Sequence, residues 1–259
     1  MPKMKNMFQN AIVRRPCRNL VNGISNARLG LPDYEKSLRQ HDQYIKTLER
    51  CGLRVQVLDA DENFPDSVFV EDTAVVTKEF AVVTRPGTPA REGETHEMET
   101  ILKQSFPKME FINAPGSLDG GDIMKTEKHF YIGLSGRTNE EGARQLTAIV
   151  SKYGYTASTI SLSSVLHLKT GISYLEHNIL LASGEFLTKP ELKKFRILEV
   201  LAEEAYASNS LWINGTIIVP SGFPKVAAMI KETGFPILEV DTSEFRKLDG
   251  GLSCLSLRY

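Results

Sequence analysis

One cysteine and one histidine have sequence surroundings that suit catalysis. Cys254 follows the glycine pair Gly250 and Gly251, and glycines leave room for a ligand or another backbone segment to approach closely. His167 lies between two leucines at the predicted start of a strand. A thiol nucleophile needs an imidazole to move its protons, so the two residues are a candidate nucleophile and a candidate general acid and base. A buried structural cysteine and a core or surface histidine are the simpler interpretations of each residue alone.

A four-residue motif, Leu-Asp-Gly-Gly, occurs twice, at residues 118–121 and 248–251. Its recurrence suggests one structural role, a close approach of the backbone to a common centre. Asp119 could then orient a histidine, as the third member of a catalytic triad does. Asp-Gly pairs also form turns without any catalytic duty, so both interpretations stay open.

Acidic residues surround the apolar segment that ends near residue 76. Asp66, Glu71 and Asp72 flank this segment, and in an extended strand Asp66 and Asp72 would share one face. Burying unpaired carboxylates is costly, and a planar guanidinium would satisfy them with paired N–H donors. An exposed edge strand with solvated acids is the alternative.

Two arginines precede predicted helices in similar positions. Arg91 and Arg137 each follow a predicted hairpin, where an arginine could bind a substrate carboxylate or point into solvent. Taken together, the candidates are a thiol, an imidazole, an orienting carboxylate, acids for a cation and arginines for an anion.

The elements that must position these residues follow a repeated pattern of hairpin, helix and strand. Helical periodicity predicts helices at residues 32–50, 95–106, 139–153, 190–206 and 224–233. Apolar, β-branched runs predict hairpin strands at residues 10–13, 68–76, 80–84, 123–124, 130–132, 174–181, 211–219 and 252–257. Each helix is followed by a further predicted strand, at residues 54–58, 109–112, 157–162, 210–213 and 237–240. Merger with the next hairpin is the alternative for residues 210–213.

This unit recurs about five times, and Asn214-Gly215 is its strongest hairpin signal. Placing the N-terminal strand beside the C-terminal one would close a ring and cover the edge strands. An ordinary mixed α/β sheet is the plainer interpretation.

Composition limits the class of protein. The 259 residues are 41% hydrophobic and 24% charged, which is typical of a globular chain. The 31 lysines and arginines nearly balance 32 acids, which argues against a nucleic-acid binder that relies on bulk positive charge. Three cysteines cannot form a closed disulfide framework, which favours the reducing cytoplasm. No apolar run has the length of a signal peptide or a membrane span.

The chain as a whole resembles the dimethylarginine dimethylaminohydrolases, members of the guanidino-group-modifying superfamily with the five-bladed α/β-propeller, or pentein, fold. The resemblance runs from near the start to the last residues, and the joint match of its motifs is highly specific. The matching segments are residues 69–72, 84–87, 118–122, 133–135 with 137–139, 167–169, and 248–251 with Cys254.

The resemblance implies a role for each candidate. Cys254 matches the family nucleophile, His167 the general acid and base, and Asp119 the acid that orients the histidine. The positions that match substrate-binding residues are Glu71 and Asp72 around the guanidinium, Asp66, Leu20 and Leu248 near the α-amine, and Arg91 and Arg137 at the α-carboxylate. Phe69 is a further substrate-binding position.

The resemblance also implies an activity and an architecture. The activity is hydrolysis of Nω-methylated arginines to citrulline and methylamine or dimethylamine through a covalent cysteine intermediate, with no metal or cofactor. The architecture is a single catalytic domain, residues 1–259, with a central active-site channel. Oligomeric state stays open, with a homodimer as one option. The alternatives are another guanidine-modifying enzyme of this fold, such as an arginine deiminase or an amidinotransferase, and a non-catalytic ring-shaped binding protein.

Overall fold

The computed structural model describes residues 7–259. Within this range the chain forms two compact units, one of residues 71–199 and the other of residues 7–70 with 200–259. Each unit has its own core of buried aliphatic and aromatic side chains.

The described residues contain six α-helices and fifteen strands. The helices are α1 (Tyr34–Arg50), α2 (Glu94–Ser105), α3 (Glu140–Ser151), α4 (Leu168–Gly171), α5 (Pro224–Glu232) and α6 (Ser243–Arg246). The strands are β1 (Asn10–Arg14), β2 (Arg54–Leu58), β3 (Ala74–Val76), β4 (Ala81–Val83), β5 (Met109–Phe111), β6 (Ile123–Thr126), β7 (His129–Leu134), β8 (Thr156–Ser161), β9 (Ile172–Tyr174), β10 (Ile179–Ser183), β11 (Arg196–Val200), β12 (Leu211–Ile213), β13 (Thr216–Pro220), β14 (Ile237–Val240) and β15 (Leu257–Arg258).

The strands of residues 7–259 form five sheets of three strands each, in the orders β3-β4-β5, β6-β7-β8, β9-β10-β11, β12-β13-β14 and β15-β1-β2. Every sheet contains an antiparallel pair. In four of the sheets, a strand parallel to its neighbour completes the group. Four of these groups contain the antiparallel pair, helix and strand that the sequence predicts, and in the fifth, β9-β10-β11, the connection between β10 and β11 has 3₁₀ turns in place of the helix.

Strands from the two ends of the described chain share one sheet. β1 pairs with β15 in antiparallel orientation, with Ala11 opposite Arg258, and with β2 in parallel orientation. The turn between β12 and β13 contains Asn214 and Gly215, whose φ angles of 50° and 91° confirm the predicted tight hairpin. The organisation of residues 1–259 as one domain with a closed ring stays a prediction.

Four of the predicted helices lie within two residues of their observed ends, and two of these, α1 and α3, begin at side-chain caps. The Asp33 carboxylate accepts the N–H of Lys36 at the start of α1, and the Asn139 side chain accepts the N–H of Gly142 at the start of α3, each at 2.8 Å. Gly52, at φ 88°, follows α1 as the predicted stop. Among the described residues, no helix is both long enough and apolar enough to cross a lipid bilayer.

The helix predicted at residues 190–206 is wrong. This segment contains a 3₁₀ turn at Pro190–Leu192, the strand β11 and a second 3₁₀ turn at Ala202–Ser208. Along the second half of β11, Leu198 and Val200 are buried and Glu199 between them is exposed, which is the alternation of a strand. Pairing beside β10 overrides the helical propensity of the segment. For residues 210–213 the merged alternative is confirmed: they contribute β12, the first strand of the next hairpin.

The continuous strand predicted at residues 68–76 is also wrong. Only Ala74–Val76 is extended, and Val70–Thr73 is a 3₁₀ turn. The predicted alternation of Asp66, Glu71 and Asp72 therefore does not apply. The turn allows the successive acids Glu71 and Asp72 both to reach buried cationic partners, whereas a strand would point them in opposite directions.

The hydroxyl of Tyr44 links α1 to the C-terminal segment that carries Cys254. Tyr44 is fully buried; its hydroxyl donates to the carbonyl of Leu252 at 2.9 Å and shares a hydrogen bond with Ser256 Oγ at 2.6 Å. The Tyr44→Phe variant removes the donor to the buried Leu252 carbonyl and leaves Ser256 Oγ with the bond from Arg258 Nη1, so we expect the free energy of unfolding to fall by about 1–3 kcal/mol in urea titrations.

Tyr153→Phe is the matched control, since its hydroxyl bonds to Glu110 at a partly exposed position. We expect a loss of less than about 1 kcal/mol there. Equal losses in the two variants would contradict a special role for the Tyr44 hydroxyl.

Candidate active site

In the unit of residues 71–199, His167 and Asp119 form a buried hydrogen-bonded pair. His167 Nε2 lies 3.0 Å from Asp119 Oδ2, and the exposed fractions of the two side chains are 8% and 0%. His167 immediately precedes the short helix α4, so the prediction that a strand begins there is wrong. The backbone N–H of His167 donates to Thr170 Oγ1 at 3.3 Å, which helps to fix the start of the helix.

The surroundings of His167 favour its charged form. Burial disfavours the imidazolium, but the negative charge of Asp72 and the hydrogen bond to Asp119 outweigh it and raise the pKa of His167 to about 9. At neutral pH the ring therefore carries a proton that it can give to a leaving group.

The loop after Asp119 brings the backbone close to these side chains. The N–H of Gly121 donates to Asp72 Oδ1, and the N–H of Gly87 donates to Asp119 Oδ1, both at 2.8 Å. A Cβ on Gly121 would lie 2.7 Å from His167 Nδ1. The glycine at this position is therefore required for the close approach that the repeated motif predicts.

Asp72 belongs to a buried network of ion pairs. Arg91 Nη1 lies 2.6 Å from Asp72 Oδ2, and Arg91 also forms two bonds to Glu94, at 2.9 and 2.8 Å. Burial would raise the pKa of Asp72, but the charges of His167 and Arg91 lower it to about 2. Arg91, which the sequence predicts to bind a substrate carboxylate, is thus paired with two carboxylates of the protein.

Glu71 has a lysine as its ion-pair partner, and Arg137 is less closely paired than Arg91. Glu71 accepts a hydrogen bond from Lys169 Nζ at 2.6 Å, with both side chains largely buried. Arg137 is 15% exposed, and its Nη1 lies 3.7 Å from Asp119 Oδ2, which is longer than a hydrogen bond.

Lys169, Glu94 and Asp122 are members of this cluster that the sequence analysis did not single out. The signal available for Lys169 was its position two residues after His167, and the one for Asp122 was its place directly after the Leu-Asp-Gly-Gly motif. Nothing in the local sequence distinguishes Glu94 from other acids in the first turn of a helix.

One atom each from Asp72, Asp119 and His167 lies within 4.8 Å of the others, close enough to hold a metal ion. The sequence predicts no metal. The contacts above already engage these atoms with one another, with Arg91 and with the Gly87 and Gly121 N–H groups. The protein itself thus supplies the positive charge that these carboxylates require.

In the other unit, Cys254 lies in a 3₁₀ turn at Ser253–Leu255 and is half-buried. Its Sγ accepts a hydrogen bond from the N–H of Gly251 at 3.4 Å. Asn209 braces the turn: its Oδ1 accepts the N–H of Ser253 at 2.8 Å, and its Nδ2 donates to Ser253 Oγ at 3.0 Å. Asn209 had no motif in the sequence that marked it.

The second glycine pair is as closely packed as the first. A Cβ on Gly250 would overlap the ring of Phe69, and one on Gly251 would lie 2.6 Å from Asn209 Cγ. Phe69 is buried and meets Phe245 edge to face. The predicted close approach at residues 248–251 is therefore observed.

The residues predicted to meet a substrate amine lie together within this unit. The Asp66 carboxylate accepts the N–H of Ile24 at 3.2 Å, and the carbonyl of Leu20 accepts the N–H of Gly23 at 2.9 Å. Leu248 is buried, and its Cδ1 lies 3.0 Å from where a Cβ on Gly23 would be. All three residues thus border the segment at residues 23–24.

Comparison with known proteins gives matches along nearly the whole chain. The family model described as "N,N dimethylarginine dimethylhydrolase, eukaryotic" matches residues 32–200. The chain is 51% identical over 254 residues to the N(G),N(G)-dimethylarginine dimethylaminohydrolase of Pseudomonas aeruginosa, covering 98% of this chain and 100% of that protein.

Solved structures match equally well. A cysteine-to-serine mutant of the Pseudomonas aeruginosa protein, complexed with citrulline, has a TM-score of 0.97 at 50% identity and covers 98% of this chain and 100% of its own. A histidine-to-glycine dimethylarginine dimethylaminohydrolase, an adduct with S-methyl-L-thiocitrulline, has a TM-score of 0.96 at the same identity and coverage.

The match to these structures, together with the five small sheets, confirms the predicted pentein fold class. A sequence identity of 51% that extends over 98% of the chain is not confined to one motif. The chain belongs to the dimethylarginine dimethylaminohydrolase family.

Proposed function

We propose that the protein hydrolyses Nω-methylated arginines, asymmetric dimethylarginine and monomethylarginine, to citrulline and dimethylamine or methylamine. Family membership supports this activity. The observation that carries it within the molecule is the buried His167–Asp119 pair, whose imidazole has a pKa raised to about 9. A protonated imidazole is the general acid that the departure of an amine requires.

In the first half of the reaction, the Cys254 thiolate attacks the guanidinium carbon, and a carbon–sulfur bond forms. The carbon–nitrogen bond to the methylated nitrogen then breaks, and His167 gives its proton to the departing amine. A covalent thiouronium cation remains on Cys254. Free thiols titrate near pH 8.5, and a bound guanidinium cation beside the sulfur would favour the thiolate.

In the second half, water replaces the sulfur. His167, now neutral, accepts one proton from the attacking water and becomes again the imidazolium that the next turnover needs. A carbon–oxygen bond forms, the carbon–sulfur bond breaks and returns the Cys254 thiolate. The second proton of the water passes to solvent, where the released amine can take it up, and the oxygen becomes the ureido oxygen of citrulline. Asp119 keeps the imidazole oriented and stabilises its charge.

Recognition of the substrate is assigned to the remaining candidates. Glu71 and Asp72 balance the guanidinium charge beside the ring of Phe69. Arg91 and Arg137 bind the α-carboxylate, and Asp66 with the backbone carbonyls of Leu20 and Leu248 meets the α-amine. In this scheme Arg137, which lacks a hydrogen-bonded carboxylate at its Nη1, contributes more to carboxylate binding than Arg91, which is held by Asp72 and Glu94.

This function needs no metal or cofactor, no nucleic acid and no membrane partner, and we place it in the cytoplasm, with a homodimer as one option for its assembly. The closest alternative is an arginine deiminase-like activity. The presence of a thiol, an imidazole and paired acids in one chain argues against a non-catalytic binding protein.

Citrulline formation from dimethylarginine is the direct test. The wild-type protein should turn over dimethylarginine and monomethylarginine faster than arginine, while Cys254→Ser, which differs little in size, should fold normally and lose all turnover. Mass spectrometry after rapid denaturation should detect a covalent adduct in the wild type. Faster turnover of arginine would favour the deiminase alternative, and an active Cys254→Ser enzyme would remove the thiol from the mechanism.

The rate should depend on pH through His167. Because the raised pKa keeps the imidazole protonated up to about pH 9, kcat/KM should fall about tenfold per pH unit above that point as the general acid is lost. The Asp119→Asn variant removes a negative charge that raises this pKa, so its alkaline limb should move to lower pH in a pH–rate profile.

The matched control is Asp33→Asn, since Asp33 caps α1 in the other unit and has no part in the proposed mechanism. Its alkaline limb should coincide with that of the wild type. An unshifted limb in Asp119→Asn would exclude His167 as the group that titrates.

Removal of the Arg137 guanidinium should act on the amino-acid end of the substrate. For Arg137→Ala we expect kcat/KM for methylarginine to fall about 10- to 150-fold, the loss of a charge-assisted contact. Simple methylguanidines lack the carboxylate and should lose much less. Arg144→Ala, which removes an exposed arginine paired with Glu141, is the control. Equal losses for both substrates would overturn the proposed orientation.

A further inference from the structure

Asp122 is a fully buried carboxylate whose two oxygens accept hydrogen bonds from neutral donors. Oδ1 accepts the backbone N–H of Leu168 at 2.9 Å. Oδ2 accepts the hydroxyl protons of Ser135 and Thr138, each at 2.6 Å. The Asp122 side chain is 0% exposed, so these bonds replace the water that a carboxylate would otherwise need.

The oxygen of each of these two hydroxyls accepts, in turn, a hydrogen bond from the backbone N–H of a candidate site residue. Thr138 Oγ1 accepts the N–H of Asp119 at 3.1 Å. Ser135 Oγ accepts the N–H of Arg137 at 2.9 Å and that of Thr138 at 3.2 Å. The Leu168 N–H that Asp122 holds belongs to the residue directly after His167.

We propose that Asp122 is a positioning residue that fixes the backbone at His167, Asp119 and Arg137 in definite positions relative to one another. Asp122 fixes the backbone at His167 by a direct hydrogen bond to the N–H of Leu168. It acts on Asp119 through the Thr138 hydroxyl and on Arg137 through the Ser135 hydroxyl. The inference rests on the proposed function, because it gives Asp122 the task of aligning the general acid, its orienting carboxylate and the carboxylate anchor.

An ionised carboxylate suits this position better than an amide. Three protons point at the side chain, from Leu168, Ser135 and Thr138, and a carboxylate only accepts. Asparagine has the same shape but carries two N–H donors on one end. Ser135 Oγ already accepts two backbone N–H groups, so it has no lone pair left for an amide N–H. With the amide turned the other way, its N–H groups would face the N–H of Leu168.

The space around Asp122 excludes a simple rearrangement. A Cβ on Gly133 would lie 2.8 Å from Asp122 Oδ1 and 3.0 Å from Leu168 Cβ. Burial raises the pKa of Asp122, opposed by the charge of His167 and by the bonds from Ser135 and Thr138. Asp122 thus occupies a position where burial disfavours its ionised form. A functional requirement for the carboxylate explains this residue better than packing alone does.

The first test is Asp122→Asn, measured with methylarginine and with methylguanidine. Because a displacement of about 1 Å at a reacting group can cost about a hundredfold, we expect kcat to fall about 10- to 100-fold for both substrates. The KM for methylarginine should also rise, and the alkaline limb of the pH–rate profile should move to lower pH. Each rate is divided by the concentration of Cys254 thiol that reacts with a cationic alkylating agent, so that a smaller fraction of folded protein does not lower the measured kcat.

Two further variants separate the branches and keep the inference testable where Asp122→Asn folds poorly. Thr138→Val removes the link to Asp119, so it should lower kcat for both substrates and shift the alkaline limb. Ser135→Ala removes the link to Arg137, so it should raise KM for methylarginine several-fold and leave methylguanidine nearly unchanged.

Glu204→Gln is the matched control. Glu204 is a buried carboxylate in the other unit that accepts the backbone N–H groups of Lys225 and Val226 at 3.2 and 2.8 Å. Its variant should lose stability and keep kcat, KM and the pH profile per folded molecule.

The outcomes are distinct. Wild-type kinetics in Asp122→Asn, or in both Thr138→Val and Ser135→Ala, would overturn the positioning role while leaving the proposed function intact. Identical effects of Thr138→Val and Ser135→Ala on both substrates would also overturn the positioning role, since Thr138 would then not act on Asp119 and Ser135 would not act on Arg137 separately. A wild-type protein that forms no citrulline from methylarginine would instead overturn the proposed function.

Discussion

The hydrogen-bonded pair of His167 and Asp119 is the interaction on which the chemistry of residues 71–199 depends. Burial alone would leave this imidazole neutral, and it is the charge of Asp72 with the bond to Asp119 that keeps it protonated near neutral pH. Each carboxylate needs compensation in turn, which Arg91 and Gly121 give to Asp72 and Gly87 gives to Asp119. Removing any member leaves a buried charge without its partner.

The balance of buried charge also explains why a guanidinium would bind here. Within the described part of this cluster, most of the buried carboxylates have a cation of the protein beside them. Arg91 pairs with Asp72 and Glu94, His167 and Arg137 lie beside Asp119, and Lys169 pairs with Glu71. Under the proposed function, a guanidinium substrate brings a further cation to these acids, whereas the ureido group of citrulline brings none. The acids would therefore favour the cationic substrate over its neutral product.

Local signals in the sequence were sufficient for some elements and could not be sufficient for others. Asp33 and Asn139 cap α1 and α3 through bonds to residues three positions on, so these helices were predicted nearly to the residue. Residues 190–206 were predicted wrongly because β11 exists through its pairing with β10, a contact that propensity does not register. The role of Glu94 was missed for the same reason, since the Arg91 that it holds also contacts the distant Asp72.

The two copies of the Leu-Asp-Gly-Gly motif show how far a short motif can be interpreted. In both, the glycines allow a close approach, to Glu71 and His167 in one unit and to Phe69 and Asn209 in the other. The aspartates diverge. Asp119, at φ −101°, is buried against His167, whereas Asp249, at φ 59°, is half-buried and accepts the N–H of Asn26. The motif thus determines where the backbone can approach, while the neighbours of each aspartate determine its chemistry. In the proposed mechanism the orienting role falls to the copy with Asp119, because its carboxylate is hydrogen-bonded to an ionisable ring and helps to raise the pKa of that ring.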